Sequence, residues 1–65
     1  MRITVNGEEQ RVSAVSLEAL LEELDYNVTV VATALNGVFV PRGERGSTLL
    51  SDDDRIEIVS PIEGG

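Results

Sequence analysis

Polar and apolar residues alternate from the start of the chain. Arg2-Ile3-Thr4-Val5 puts Ile3 and Val5 on one side, the period-two pattern of a half-buried strand. Asn6-Gly7 follows, a pair suited to a type I′ hairpin turn, in which both central residues need positive φ. Gln10 to Ser13, with Val12 inward, predicts the returning strand. At Ser16 the period changes. Leu17, Leu20, Leu21 and Leu24 stand at helical spacing and form one apolar stripe, with Glu18, Glu22, Glu23 and Asp25 off it. Ser16 is placed to cap the first turn, and Glu18 suits the positive end of the helix dipole. Asp25-Tyr26-Asn27 ends the helix, with Asn27 expected as a left-handed cap.

The β-branched run within Val28 to Leu35 predicts a central strand, buried on at least one face. Asn36-Gly37 is a second hairpin signal leading into Val38-Phe39-Val40, and Pro41 ends that pairing because it lacks a ladder N–H. Gly43 to Ser47 reads as a loop, Thr48-Leu49-Leu50 as a short turn placing leucines under the sheet, and Ser51 to Asp54 as a polar turn. Arg55 to Val59 alternates again, with Ile56 and Ile58 on one face. Pro61 blocks continuation.

Two hairpins thus flank one helix whose leucine stripe must be buried. A mixed sheet of four to five strands wrapped on that helix solves the problem in two layers, with the last strand parallel to the first in mid-sheet. This α+β arrangement is the β-grasp, or ubiquitin-like, fold. The expected core is Ile3, Val5, Val12, Leu17, Leu20, Leu21, Leu24, Leu35, Leu50, Ile56 and Ile58. Residues 1–60 form the domain, and residues 61–65 are expected as a flexible tail.

Composition narrows what such a fold can do. With 65 residues the core is small, and the absence of Cys and His rules out disulfides and Cys/His zinc sites as staples. Twelve acids against five arginines give a net charge of −7, which disfavours nucleic-acid binding and is compatible with steering towards a basic partner. Tyr26 and Phe39 are the sole aromatics, too few for a base-stacking platform. No basic segment followed by an apolar run opens the chain and no stretch is long enough to span a bilayer, so a cytoplasmic, membrane-free protein is expected.

Few side chains offer chemistry. Asp52-Asp53-Asp54 lacks the alternating ligands and terminal Glu of a calcium loop and reads better as a solvated turn. Gly43-Glu44-Arg45-Gly46-Ser47 has no Lys and no following helix, so it is not a phosphate loop. Ser13, Ser16, Ser47, Ser51 and Ser60 have no His or Lys to act as base, and an enzyme is the disfavoured class. The remaining candidate is Gly64-Gly65, whose Cβ-free backbone can thread a narrow active-site channel. A terminal carboxylate is ionised at neutral pH and a poor electrophile, so a partner would have to activate it, most simply by adenylation with ATP. An amine attacking the acyl adenylate would give an amide. A sulfur nucleophile would give a thiocarboxylate, and with no Cys the C-terminus is the one place for carried sulfur.

The whole chain resembles the ThiS family of thiamine-biosynthesis sulfur carriers. The likeness lies in its length, in Ala34-Leu35-Asn36-Gly37 followed by Val40-Pro41-Arg42, in Asp54-Arg55-Ile56-Glu57-Ile58, and in Gly64-Gly65. The small subunit of molybdopterin synthase is similar in fold and ending but usually longer. The resemblance implies that an E1-like adenylyltransferase activates Gly65 with ATP and that a cysteine-desulfurase route supplies sulfur. The Gly65 thiocarboxylate then donates that sulfur within thiazole synthase. On this reading the chain binds no cofactor, is monomeric when free and is a co-substrate rather than an enzyme. Its tail, Ser60, Pro61, Ile62, Glu63, Gly64 and Gly65, would enter the partners' sites while the neighbouring sheet face docks. Glu22, Glu23, Glu57 and Glu63 are candidates for meeting a basic partner. Two positions depart from the family pattern. Asp53 stands where Asp-Gly-Asp is common, and Gly43-Glu44-Arg45 follows Pro-Arg where an aromatic often lies. The alternatives are a ubiquitin-like protein modifier, a carrier of a related sulfur pathway, and an interaction module with an incidental tail.

Overall fold

The computed structural model describes residues 1–60. Strand β1 (Arg2–Val5) pairs antiparallel with β2 (Glu8–Arg11), and helix α1 (Leu17–Glu23) follows. Strands β3 (Ala32–Leu35) and β4 (Val38–Val40) form the second hairpin, a 3-10 helix spans Arg42–Ser47, and β5 (Arg55–Val59) completes a five-stranded sheet. The order is β2-β1-β5-β3-β4, with β5 parallel to β1 and antiparallel to β3. This is the expected β-grasp.

Alternation decides the layers. Ile3 and Val5 of β1, Ile56 and Ile58 of β5 and Val40 of β4 face α1, whose Leu17, Leu20 and Leu21 are fully buried. Val12, Ala14 and Leu50 close the rim. Leu24 and Leu35, expected in the core, are only partly buried and pack against it. The helix stops at Glu23, leaving Leu24 at its cap, and Leu35 ends β3 at the sheet margin.

Local polar chemistry explains where the elements differ from the sequence reading. A two-residue type I′ turn, with Asn6 at φ 50° and Gly7 at φ 85°, restarts the strand at Glu8. So β2 is Glu8–Arg11 rather than Gln10 to Ser13, and Val12 is inward just beyond it. At the helix end the left-handed residue is Asp25 (φ 63°), not Asn27. Asp25 N–H donates to the Glu22 carbonyl (3.1 Å) and Tyr26 N–H to that of Leu21 (2.9 Å), the paired bonds of a Schellman motif. Asn27 instead accepts from the Thr29 N–H (3.1 Å) and hydroxyl (2.7 Å). That local turn competes with the ladder and confines β3 to the second half of the expected Val28–Leu35 run.

Two further segments differ. The expected Gly43–Ser47 loop lies within the 3-10 helix, which drives Arg45 inside. Only 4% of Arg45 is exposed. It donates to Thr33 Oγ1 (3.1 Å) and the carbonyls of Val28 (3.0 Å) and Val31 (2.7 Å), tying the loop before β3 to the sheet. Burial, and secondarily repulsion from Arg42, lowers its pKa. Of the two leucines expected under the sheet, Leu50 is buried while Leu49 bridges Ser16 and points to solvent. As expected, Ser16 Oγ caps the helix, accepting from Ala19 N–H at 3.1 Å.

Both Asn-Gly turns also reach across to β5. Asn36 Oδ1 accepts from Arg55 N–H (2.9 Å) and its Nδ2 donates to Asp54 Oδ1 (3.0 Å), at the strand's start. Asn6 Nδ2 donates to the Ile58 carbonyl (3.0 Å) and its Oδ1 accepts from Ile58 N–H (2.8 Å), at the strand's end.

Candidate functional site

Because β5 is central and parallel to β1, its last residues leave the sheet beside the Asn6-Gly7 turn. Register places Ile56 opposite Val5, so Glu57, Ile58 and Val59 run past the end of β1. Ser60, half-buried, is the one predicted tail residue within the described part. Pro61, Ile62, Glu63, Gly64 and Gly65 lie outside the described residues.

Around this exit the outer face of the sheet is apolar. Cross-strand neighbours there are Ala34 with Phe39, Ala34 with Glu57, and Ala32 with Val59. The small alanines form the floor of an open groove between Phe39 and Val59, which are 65% and 58% exposed. Asn6 and Gly7 make its end wall and Glu57 supplies its carboxylate. The other half of the face is charged. Arg2 pairs with Glu9 (2.9 Å) and Asp53 (3.1 Å), and Arg11 and Arg55 lie on the same side by register. The Asp53 hydrogen bond first, then the charges of Glu9 and Asp53, raise the Arg2 pKa.

The sequence pointed to the sheet face beside the tail as a docking area but not to the residues that line this groove. Its signal was present: with Thr33 inward, period two sends Ala32 and Ala34 outward, and Phe39 with them. Of the acidic residues proposed to meet a partner, Glu57 lies in the groove. Glu23 is instead engaged within the fold, accepting from Ser13 N–H (3.1 Å) and Ala14 N–H (2.9 Å).

No group of three or more His, Cys, Asp or Glu could hold a metal among the described residues. The three aspartates are occupied. Asp52 Oδ1 accepts from Arg2 N–H (2.8 Å), Asp53 pairs with Arg2, and Asp54 Oδ2 accepts from Ser51 N–H (2.8 Å). No helix among the described residues is long and apolar enough to cross a membrane.

Comparison with known proteins agrees with the geometry. The model of the ThiS family matches residues 3–65. The crystal structure of a thiamine biosynthesis protein (ThiS) from Geobacter metallireducens superimposes with a TM-score of 0.86 at 29% identity, covering 100% of both chains. The uncharacterized protein ycf40 of Pyropia yezoensis is 39% identical over 97% of this chain and 90% of its own length. A thiazole synthase from Paramagnetospirillum magneticum is 39% identical over 100% of this chain, which spans only 20% of that protein. With the β-grasp body and Gly64-Gly65 both inside the matched region, the chain belongs to the ThiS family.

Proposed function

We propose that this chain is a sulfur carrier for thiazole formation in thiamine biosynthesis. The observation that carries the reading is the family match, which runs through the β-grasp body and on through Gly64-Gly65. Residues 1–60 act as the body and residues 61–65 as an arm carrying the reacting group. The Gly65 carboxylate attacks the α-phosphorus of ATP on an E1-like partner and releases pyrophosphate. A persulfide formed by a cysteine desulfurase then displaces AMP to give an acyl disulfide, and a second thiol cleaves its S–S bond, leaving the thiocarboxylate and a disulfide. Thiazole synthase takes the sulfur, an oxygen from water or from the acceptor's carbonyl replaces it on Gly65, and the carboxylate returns, so the chain is a recycled co-substrate. ATP belongs to the activating partner, and the chain works in the cytoplasm as a free monomer between encounters.

The alanine-floored groove beside the exit is suited to docking, since exposed aromatic and aliphatic side chains around a shallow depression are what partner surfaces bury. The thiazole synthases that contain a segment similar to the whole chain support a shared working context. Reconstitution with the activating enzyme, ATP, thiazole synthase and isotopically heavy sulfide tests the reading. The expected result is heavy sulfur in the thiazole product, dependent on Gly64-Gly65. Full product formation by a chain lacking those two residues would overturn it.

A further inference from the structure

We infer that Asn6 is a positioning residue for the reactive arm, an inference that rests on the carrier reading above. Strand β1 ends at Val5, whereas β5 continues to Val59. Backbone pairing on the β1 side accordingly stops with Asn6 N–H donating to the Ile56 carbonyl (2.9 Å). Ile58 turns both of its backbone groups to that side, where no strand is left to meet them. The Asn6 side chain takes both, with Nδ2 on the carbonyl and Oδ1 on the N–H. A carboxamide carries the same donor and acceptor pair as a peptide unit, so Asn6 extends β1 by one artificial rung.

That rung sits two residues before Ser60, where the described chain leaves the sheet. On the other side, β3 holds β5 through the Thr33–Ile58 and Ala32–Val59 register pairs. Asn6 makes the end of β5 a central strand rather than an edge, and so fixes the point and direction from which the arm departs. From Ile58 to Gly65 the extended chain reaches at most about 25 Å. Fraying at that root would lengthen the flexible tether between the docked body and the carboxylate, so the carboxylate would meet a bound nucleotide in line less often.

Asn36 provides an internal control. It occupies the equivalent position of the other type I′ turn, at φ 51° against 50° for Asn6, and its amide holds the start of β5 instead of the end. Glycine is tolerated at both positions because φ is positive, so Asn6→Gly and Asn36→Gly each keep the turn and delete only the amide. The experiment measures steady-state activation by an E1-like enzyme, together with exchange of the Ile58 amide hydrogen, in wild type and both variants. The expected result for Asn6→Gly is a fall in kcat on the order of tenfold, the worth of one or two neutral hydrogen bonds, and larger than any rise in KM from the altered groove wall. Ile58 exchange accelerates in Asn6→Gly, and Asn36→Gly keeps the wild-type kcat. Equal kcat in Asn6→Gly and wild type, or equal loss in both variants, overturns the inference. If the wild type is not activated at all, the carrier reading fails. The clamp is then judged by Ile58 exchange alone, and unchanged protection in Asn6→Gly refutes it.

Discussion

Arg45 shows how far one side chain can decide a local structure. It is buried against hydroxyl and carbonyl oxygens and takes part in none of the ion pairs found among the described residues. Nothing in its position within Gly-Glu-Arg-Gly-Ser marked it as interior, because the 3-10 helix that carries it is set by tertiary packing. Arg45→Ala leaves the Val28 and Val31 carbonyls and the Thr33 hydroxyl without their partner and is expected to cost about 3 kcal/mol in urea unfolding. Arg45→Met keeps the stem and should recover about 1 kcal/mol of that. Asp53 carries the opposite kind of strain. Its φ of 73° is a conformation that glycine would adopt freely. Relief of roughly 1 kcal/mol of left-handed strain exceeds roughly 0.5 kcal/mol of added unfolded-state entropy. Its ion pair with Arg2 is exposed and worth little. Asp53→Gly is therefore expected to raise stability by about 0.5 kcal/mol; a loss above about 1 kcal/mol would show that the ion pair dominates.

At the scale of elements, the strands and the helix follow from periodicity because each has one buried face. Helix α1 has only seven residues, so its cap matters more than propensity. Ser16→Ala should cost about 1 kcal/mol, read as a lower midpoint of thermal unfolding. The two hairpins and nearly all of the core were legible because Asn-Gly turns and alternation are local signals, and the parallel β1–β5 pairing followed from burying one helix under one mixed sheet. The boundaries of β2 and β3, the Asp25 cap and the interior Arg45 were not. The β3 boundary depends on a competition between a local hydrogen bond and the ladder, where Asn27 turns the chain through Thr29 before β3 begins. The β2 boundary depends on the length of the first turn, and Arg45 on tertiary packing. The same distinction applies to the site. Gly64-Gly65 is visible in the sequence, but the groove and the Asn6 clamp exist only once β3, β4, β5 and the first turn are side by side.

Across the whole molecule the outer sheet face divides into a charged half around Arg2, Arg11 and Arg55 and an apolar half around Phe39 and Val59, next to the chain exit. If the apolar half docks the activating partner, Phe39→Asp should raise KM for activation at least about tenfold. The unfolding midpoint should stay near wild type, because Phe39 is already largely exposed. An unchanged KM would place docking elsewhere. The central claim, however, concerns Gly65. The direct measurement is alkylation and intact mass of the chain after incubation with an E1-like enzyme, ATP and a sulfur source, with the adduct mapped by fragmentation. With no Cys in the sequence, an alkylated C-terminus has one explanation, a thiocarboxylate, and alkylation also separates it from Met1 oxidation, which has nearly the same mass change. The account predicts one alkyl group on Gly65, dependent on ATP. Stable amide adducts of Gly65 to other proteins, with no alkylation under a competent activating enzyme, would contradict it and make the chain a protein modifier.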